Sequence, residues 1–343
     1  MPKTEPVTLE VAERGVRITN PDKVFFPATG ATKLDLARYY VAVGPGALTG
    51  CRDRPTTLYR WPNGVAAPDD AFYQKRVPPQ RPEWLQTTIV TFPSGRSAEF
   101  LVVADLAHLI WAINLGCIDI NPWPVRADDV DHPDELRVDL DPTPEFSFEH
   151  AREVALVVRE VLDEHGLTGW PKTSGKRGLH VYVRIEPRWS FTMVRRAALA
   201  LAREVERREP ALATTAWWKE ERVGVFVDYN QNARDRTIAS AYSVRPTERG
   251  FVSCPLAWEE VPGARIEDFT MTTVPQRFAD MGDPGHGIDD AVGDLTKLLE
   301  LAAADEAGGL GDAPWPPHFP KAENEPIRAQ PSRRRQGRRN SGS

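Results

Sequence analysis

The stretch "ELRVDLDPTP", residues 135–144, sets Asp139 and Asp141 one residue apart in a run that otherwise reads as a strand. Residues i and i+2 of a strand point to the same face. Two carboxylates side by side repel unless a cation lies between them. Most lone D-x-D triplets at strand ends and turns are simply solvated, so the triplet by itself does not establish a metal site. A second stretch, "KTSGKRGLHVYV" (172–183), is a glycine-flanked basic loop feeding a strand. Gly175 and Gly178 permit close backbone approach to an anion. Ser174, Lys176, Arg177 and His180 offer donors for phosphate oxygens. An ordinary turn is the competing reading. A third stretch, "VFVDYNQNARDRTIASAYSVR" (225–245), ends an apolar strand on Asp228. A third carboxylate on a neighbouring strand would complete an all-oxygen site of the kind magnesium or manganese prefers. Arg234, Arg236 and Arg245 follow, with donors for a triphosphate. The three stretches together imply nucleotidyl transfer, in which two metals activate a 3′-hydroxyl and neutralise the leaving pyrophosphate.

The elements that must position these residues are mixed. "TKLDLARYYVAV" (32–43) predicts a helix capped by Thr32, and "TTLYRW" (56–61) a strand. Residues 99–116 predict a strand or loop followed by a helix stopping at Gly116. In 147–166 Ser147 opens a helix that places Ala151, Val154, Val158, Val161 and Leu162 on one face and ends at Gly166. Strands are predicted at 179–185 and 223–230, with a helix at 190–209. Strands and helices interleave without a regular βαβ beat, so the expected class is α+β or mixed, not a doubly wound sheet.

The chain has 343 residues, 41% hydrophobic and 9% aromatic, enough for one large domain or two closely packed ones. A net charge of −6 argues against a surface that coats nucleic acid throughout, yet permits a local basic groove. Cys51, Cys117 and Cys254 form no C-x-x-C pair, which argues against structural zinc and a disulfide framework. The start lacks an apolar signal region, and no apolar run approaches membrane-spanning length. A soluble, cytoplasmic and nucleoid-associated protein is expected. Residues 283–326 hold ten acids against Lys297 and Lys321, and six arginines follow Pro326. The expected layout is a catalytic domain over 1–300, an irregular packing segment over 301–326 with Trp315 and Phe319, and a basic, disordered tail over 327–343. Such a tail could attract phosphates without regard to sequence.

The order D-x-D, then SGxxGxH, then a strand-borne aspartate resembles the archaeo-eukaryotic primase superfamily. More narrowly, the chain resembles the polymerase domain of bacterial ligase D, an end-joining repair enzyme. "TNPDKVFFPATGATKLDLARYY" (19–40), "RPTTLYRWPNG" (54–64), "AFYQKRVP" (71–78), "KTSGKRGLH" (172–180) and "AYSVR…FVSCPLAW" (241–258) carry the likeness, over about residues 9–300. It implies a primase-like core of central antiparallel or mixed sheets flanked by helices. Asp139, Asp141 and Asp228 would be the metal ligands, for two Mn2+ or Mg2+ ions. Ser174, Lys176, Arg177, His180 and Arg245 would contact the nucleotide. Lys23 and Lys33 match lysines that receive a 5′-phosphate across a gap, and Phe72 and Tyr73 match an aromatic pair that stacks on the template base. Without the resemblance the lysines read as plain surface lysines and the aromatics as core or exposed residues, although neighbours in an extended segment do not both face inward. The Pro-Ala-Thr-Gly turn before Thr32 would add free helix-start N–H groups to the phosphate pocket.

The resemblance further implies gapped or broken DNA and NTP or dNTP as substrates, and a DNA ligase and Ku acting in trans, since no ligase or nuclease sequence follows. No membrane partner is expected. The chain departs from the family's pattern in three places. It writes SGKRGLH where relatives commonly write SGSKGLH, so a planar fork at Arg177 replaces an ammonium. Asn121 stands where a histidine is common, which bears on ribose discrimination, and Gln231 stands where many relatives differ. A binding module for DNA ends without catalysis, or a phosphotransferase acting on small nucleotides, are the competing functions. Three clustered carboxylates argue against the first, and the aromatic pair with the 5′-phosphate lysines against the second.

Overall fold

A computed structural model describes residues 5–92, 94–316 and 319. The arginine-rich tail, 327–343, and most of 317–326 lie outside the described residues. The chain opens with the hairpin β1 (Val7–Val11) and β2 (Arg14–Ile18), in which Val16 and Ile18 turn inward and Gly15 and Arg17 outward with the two-residue period of a strand. Two short strands, β3 (Val24–Phe26) and β4 (Ala31–Thr32), bracket the Pro-Ala-Thr-Gly turn and lead into α1 (Lys33–Ala42). Thr32 caps α1 as expected. Its side chain accepts from the Asp35 N–H while the Asp35 carboxylate accepts from the Thr32 N–H, a capping box. Next come α2 (Gly44–Cys51), β5 (Pro55–Arg60), β6 (Phe72–Gln74), β7 (Thr87–Thr91) and β8 (Ser97–Val102). The helix α3 (Leu106–Asn114) is capped by Asp105, and β9 (Cys117–Pro122) follows it. These strands form one sheet in the order β6-β5-β8-β7, with β9 also paired to β5.

The second sheet carries the three quoted stretches. Its strands are β10 (Glu135–Pro142), β11 (Trp170–Thr173), β12 (Leu179–Arg184), β13 (Ala213–Thr214) and β14 (Val225–Asp228), in the order β11-β12-β10-β14-β13. All its pairings are antiparallel except β13 with β14. The helices α4 (Phe148–Glu164) and α5 (Phe191–Arg208) pack on β10. All five residues read as the apolar face of α4 are buried, joined by Ala155. Leu136, Val138 and Leu140 belong to the same apolar core as that face. The alternate β10 positions, 135, 137, 139 and 141, therefore line the opposite face. There a buried polar ladder forms, with Glu135 opposite Arg184, Arg137 opposite Tyr182 and Asp139 opposite His180.

Towards the C-terminus lie α6 (Val274–Met281) and α7 (Thr296–Ala307). The domain boundary expected at 300 falls inside α7. Leu298 and Ala302 are buried, α7 packs on α5, and Asp305 and Glu306 pair with Arg207 and Arg196 of α5, so the helix runs unbroken through 300. Irregular chain begins only after Ala307. The mixed class with sheets flanked by helices is what forms. The three cysteines are buried and free. Among the described residues no helix is long and apolar enough to cross a membrane.

Candidate active site

Four ionisable side chains form one row across four strands. Lys172 on β11 lies opposite His180 on β12, His180 opposite Asp139 on β10, and Asp139 opposite Asp228 on β14. His180 Nε2 is 3.3 Å from Asp139 Oδ1. Gln231, just past the end of β14, donates from Nε2 to Asp139 Oδ2 at 3.3 Å and to Asp228 Oδ2 at 3.1 Å. The other Asp228 oxygen accepts from the Asn230 N–H at 2.8 Å. Asp141, two residues along β10 and opposite Phe226, is the exposed member of the set.

Burial pushes the Asp139 carboxyl up to about 6, although Lys172 and Arg245 pull against it. Burial and the charge of Asp139 bring Asp228 to about 6 as well. Partial burial and Asp139 raise Asp141 in the same direction. Two poorly solvated carboxylates facing each other are a place where a divalent cation lowers the energy, and an all-oxygen donor set suits magnesium or manganese. Among the described residues no three His, Cys, Asp or Glu side chains close into a ready metal cage. Coordination by one or two carboxylates, completed by water and substrate phosphate, is the usual manner of magnesium. The residues present fit such an ion.

The basic loop turns much of its hydrogen bonding on itself. Ser174 is buried, and its Oγ accepts from the N–H groups of Lys176 at 3.2 Å and Gly178 at 3.0 Å. The two glycines permit close approach to the protein's own chain. A Cβ on Gly178 would lie 2.1 Å from the Leu140 carbonyl oxygen, and one on Gly175, at φ +65°, 2.5 Å from Arg245 Cγ. Arg177 donates to the carbonyls of Thr143 and Phe146, tying the loop to the segment after β10. Both ring nitrogens of buried His180 are engaged, Nδ1 by Lys172 Nζ at 2.6 Å and Nε2 by Asp139. Lys176 stays exposed, and Arg245 is part-exposed with Nη1 on the Ser174 carbonyl at 3.2 Å and Nε 3.5 Å from Asp119. Arg234 is taken elsewhere, by the Thr91 carbonyl, Asp131 and the Phe191 ring. Arg236 instead lines a pocket with Asp228, Gln231, Arg222, Trp217 and Pro316.

The two lysines come together where the β3–β4 pair meets α1. The Lys33 N–H donates to the Lys23 carbonyl at 2.8 Å. Lys33 is buried, and burial, with Lys23 and Arg60 nearby, lowers its ammonium to about 8. Its Nζ donates to the Thr19 carbonyl and Asn114 Oδ1, each at 2.9 Å, while Lys23 Nζ reaches Asn63 Oδ1 at 2.6 Å. The expectation of free N–H groups at this helix start is corrected. The N–H groups of Lys33, Leu34 and Asp35 donate to the Lys23 carbonyl, the Pro21 carbonyl and Thr32 Oγ1, because the turn folds back over the helix end. Phe72 and Tyr73 are both exposed, at 43% and 61%. Tyr73 stacks on Tyr59 with centroids 4.0 Å apart, and the Arg60 guanidinium lies 5.3 Å from the Phe72 ring. Arg60 thus joins the cation cluster to the aromatic pair.

Four contributors went unassigned in the sequence reading. Lys172, Gln231, Arg222 and Arg60 all sit inside quoted stretches or beside them. Lys172 opens the basic motif, but only the β11–β12 register shows that it meets His180. Gln231 stands three residues after Asp228, a spacing that a single turn turns back onto the carboxylate.

Strand-borne aspartates meeting across a sheet, beside a basic loop and a part-exposed arginine, define a nucleotidyltransferase of the primase-polymerase type. The family described as LigD, primase-polymerase domain, matches residues 32–285. The multifunctional non-homologous end joining protein LigD of Mycolicibacterium smegmatis is 31% identical over 322 residues, 93% of this chain and 42% of that protein. The bifunctional non-homologous end joining protein LigD of Bacillus subtilis is 30% identical over 272 residues, 78% of this chain and 43% of that protein. Among solved structures, the polymerase domain of Mycobacterium tuberculosis ligase D in complex with DNA superposes with a TM-score of 0.74 at 32% identity, covering 80% of this chain and 98% of that one. The chain belongs to the LigD primase-polymerase domain family, whose polymerase domains are metal-dependent DNA-directed nucleotidyltransferases. It spans less than half the length of these two curated relatives.

Proposed function

We propose that the protein extends a primer 3′-hydroxyl on a template, filling short gaps or ends during non-homologous end joining, with ribonucleotides as well as deoxyribonucleotides. The observation that carries this reading is the pairing of Asp139 with Asp228 in register across β10 and β14, beside Asp141 and the basic loop. Asp139, Asp141 and Asp228 would hold Mn2+ or Mg2+, two ions in all. When bound, such ions supply charge neutralisation at the attacking and leaving oxygens.

The chain's own groups do the rest. Gln231 spans the two facing carboxylates and fixes their separation. His180, braced by Lys172, holds Asp139 Oδ1 and so orients its second oxygen. Lys176 and Arg245 offer donors for the triphosphate, while Ser174 and Arg177 set the loop that presents them. Phe72 and Tyr73 offer faces on which an unpaired template base stacks without sequence preference. Lys23 and Lys33, backed by Arg60, receive a downstream 5′-phosphate. The polymerase domain in the related solved structure is bound to DNA, which supports a DNA substrate here. A ligase and Ku are the partners that seal and hold the ends. Primer extension across a one-nucleotide gap tests the reading, with ribo- and deoxyribonucleotides, Mg2+ or Mn2+, and the downstream end phosphorylated or not. Extension of the gapped substrate is expected, and no addition with either metal would overturn it.

A further inference from the structure

Arg195 on α5 has no solvent exposure, and its guanidinium donates in two directions. Nε donates to Asn230 Oδ1 at 3.1 Å. Nη1 donates to Asp312 Oδ1 at 2.9 Å, and Nη2 to the carbonyls of Ala313 at 3.1 Å and Pro314 at 2.7 Å. The Trp315 ring lies 4.2 Å from the same guanidinium, and its Nε1 donates to Asp312 Oδ2 at 2.9 Å. Arg203, further along α5, holds the Gly311 carbonyl at 2.6 Å. Residues 310–316 are therefore strapped to α5, beyond the end of the family match at residue 285. On its other side Arg195 reaches the turn that carries the metal-site aspartate. Asn230 gives its N–H to Asp228 Oδ1, and the Tyr229 ring lies 5.2 Å from the guanidinium. Pro316 of the strap lies in the wall of the pocket that contains Asp228.

We propose that residues 310–316 complete the active site by holding Arg195 against Asn230, which in turn orients the Asp228 carboxylate. A buried guanidinium is tolerated only where acceptors surround it. Three of its four acceptors here belong to the strap. Without the strap the cation keeps one neutral amide oxygen and must turn to water. Asn230 then loses its partner, and the turn Tyr229–Asn232 loses its outer support. Arg195 and the strap are positioning elements, and the inference rests on the reading of Asp228 as a cation ligand.

The test compares the full chain, a chain ending at residue 316, a chain ending at residue 309, Asn230→Ala, and Asn230→Ala within the shortest chain. The readouts are Mn2+ affinity by calorimetric titration and amide hydrogen exchange over residues 229–232, with the β1–β2 hairpin as the control for global stability. The chain ending at 316 is expected to behave as the full chain. Ending at 309 is expected to weaken Mn2+ binding by about ten-fold or more, the usual consequence of losing an outer-shell partner. Exchange should quicken at 229–232 and stay unchanged in the hairpin. Asn230→Ala should give a similar loss and add nothing to the truncation. If the shorter chain fails to fold, Asp312→Ala with Trp315→Ala in the full chain puts the same question. Mn2+ affinity within about two-fold of the full chain, with unchanged exchange at 229–232, would overturn the strap. A full chain that takes up no Mn2+ refutes the metal-site reading instead, and the exchange data still decide the strap.

Discussion

Asp139 and Asp228 are direct partners across an antiparallel strand pair, and a single amide, Gln231 Nε2, donates to an Oδ2 of each. Antiparallel partners are the closest neighbours a sheet offers, and like charges placed there destabilise it. Ser, Thr or an opposite charge would hold the same strands together better. A cation shared by the two carboxylates, as proposed above, would offset that cost.

The cost of that pairing should appear as a pH dependence. Both carboxyls are raised to about 6 by burial, with mutual repulsion adding at Asp228. A raised carboxyl favours the folded state while it stays protonated. That contribution is complete below the ordinary carboxylate range near 4 and is lost as pH climbs through 6. Asp134 and Glu135, held well below the usual range by Arg54, Arg137 and Arg184 against the cost of burial, act in the opposite sense but at lower pH. With chelator present, the unfolding temperature of wild type should therefore fall from pH 4.5 to 7 relative to Asp228→Asn, by on the order of a few degrees. Mn2+ at pH 7 should restore it in wild type alone. A flat difference between the two proteins would refute the raised carboxyls.

Catalysis should fail with any of the three aspartates. Asp139→Ala, Asp141→Ala and Asp228→Ala are each expected to slow nucleotide addition by about a thousand-fold or more, the equivalent of several kcal/mol of lost charge neutralisation. Circular dichroism should show the fold retained. A single-turnover rate within a few-fold of wild type for one variant takes that residue off the essential set.

Much of this was legible in the residues, and what was not had a physical reason. The helix over 147–166 announced itself by Ser147, a periodic apolar face and Gly166, all local signals, and the structure differs only at the ends. The D-x-D spacing placed two carboxylates on one face because strand periodicity is local too. The partner of Asp139 was not local. Which strand lies beside β10, and in what register, depends on packing of α4 and α5, and that decides that Asp228 faces Asp139 while Asp141 faces Phe226. His180 illustrates the same limit. Its motif named it as a phosphate donor, whereas the register places Lys172 on one side of the ring and Asp139 on the other. The short strands β3, β4, β6 and β13 carried too few residues to show a period.

The two arginines of the nucleotide side should separate. Arg245 is part-exposed, with Nη1 on the Ser174 carbonyl and Nε 3.5 Å from Asp119, which leaves Nη2 for a triphosphate in this reading. Arg177 already donates to two carbonyls. Arg245→Ala is expected to raise the nucleotide KM by about ten-fold or more, the worth of a charge-assisted hydrogen bond. Arg177→Ala should raise it less, through a looser loop. Binding of gapped DNA, measured by fluorescence anisotropy, should be unchanged in both. Loss of DNA binding in Arg245→Ala would assign that arginine to the DNA groove.

The last prediction concerns the 5′ end. Lys23 and Lys33 are joined through the Lys33 N–H and the Lys23 carbonyl, and Arg60 stands close enough to help depress the Lys33 ammonium to about 8. Among the described residues their ammonium groups donate to neutral oxygens: Asn63 for Lys23, and Thr19 and Asn114 for Lys33. Cations crowded together with neutral partners are relieved by an anion, and a terminal phosphate carries more charge than a backbone diester. Arg60 also lies against Phe72, so the anchored end and the stacked template would sit a short, fixed distance apart, which favours short gaps. Gapped DNA with a 5′-phosphate is expected to bind about ten-fold more tightly than the same DNA with a 5′-hydroxyl. The preference should be full below pH 8 and shrink above it, because a lowered lysine loses its proton there and its charge with it. The double change Lys23→Ala with Lys33→Ala should erase the preference while leaving extension at saturating DNA intact. Two titrations, each repeated at pH 7 and pH 9, decide the matter. Equal wild-type affinity for the two ends at pH 7 removes both lysines from any 5′-phosphate pocket.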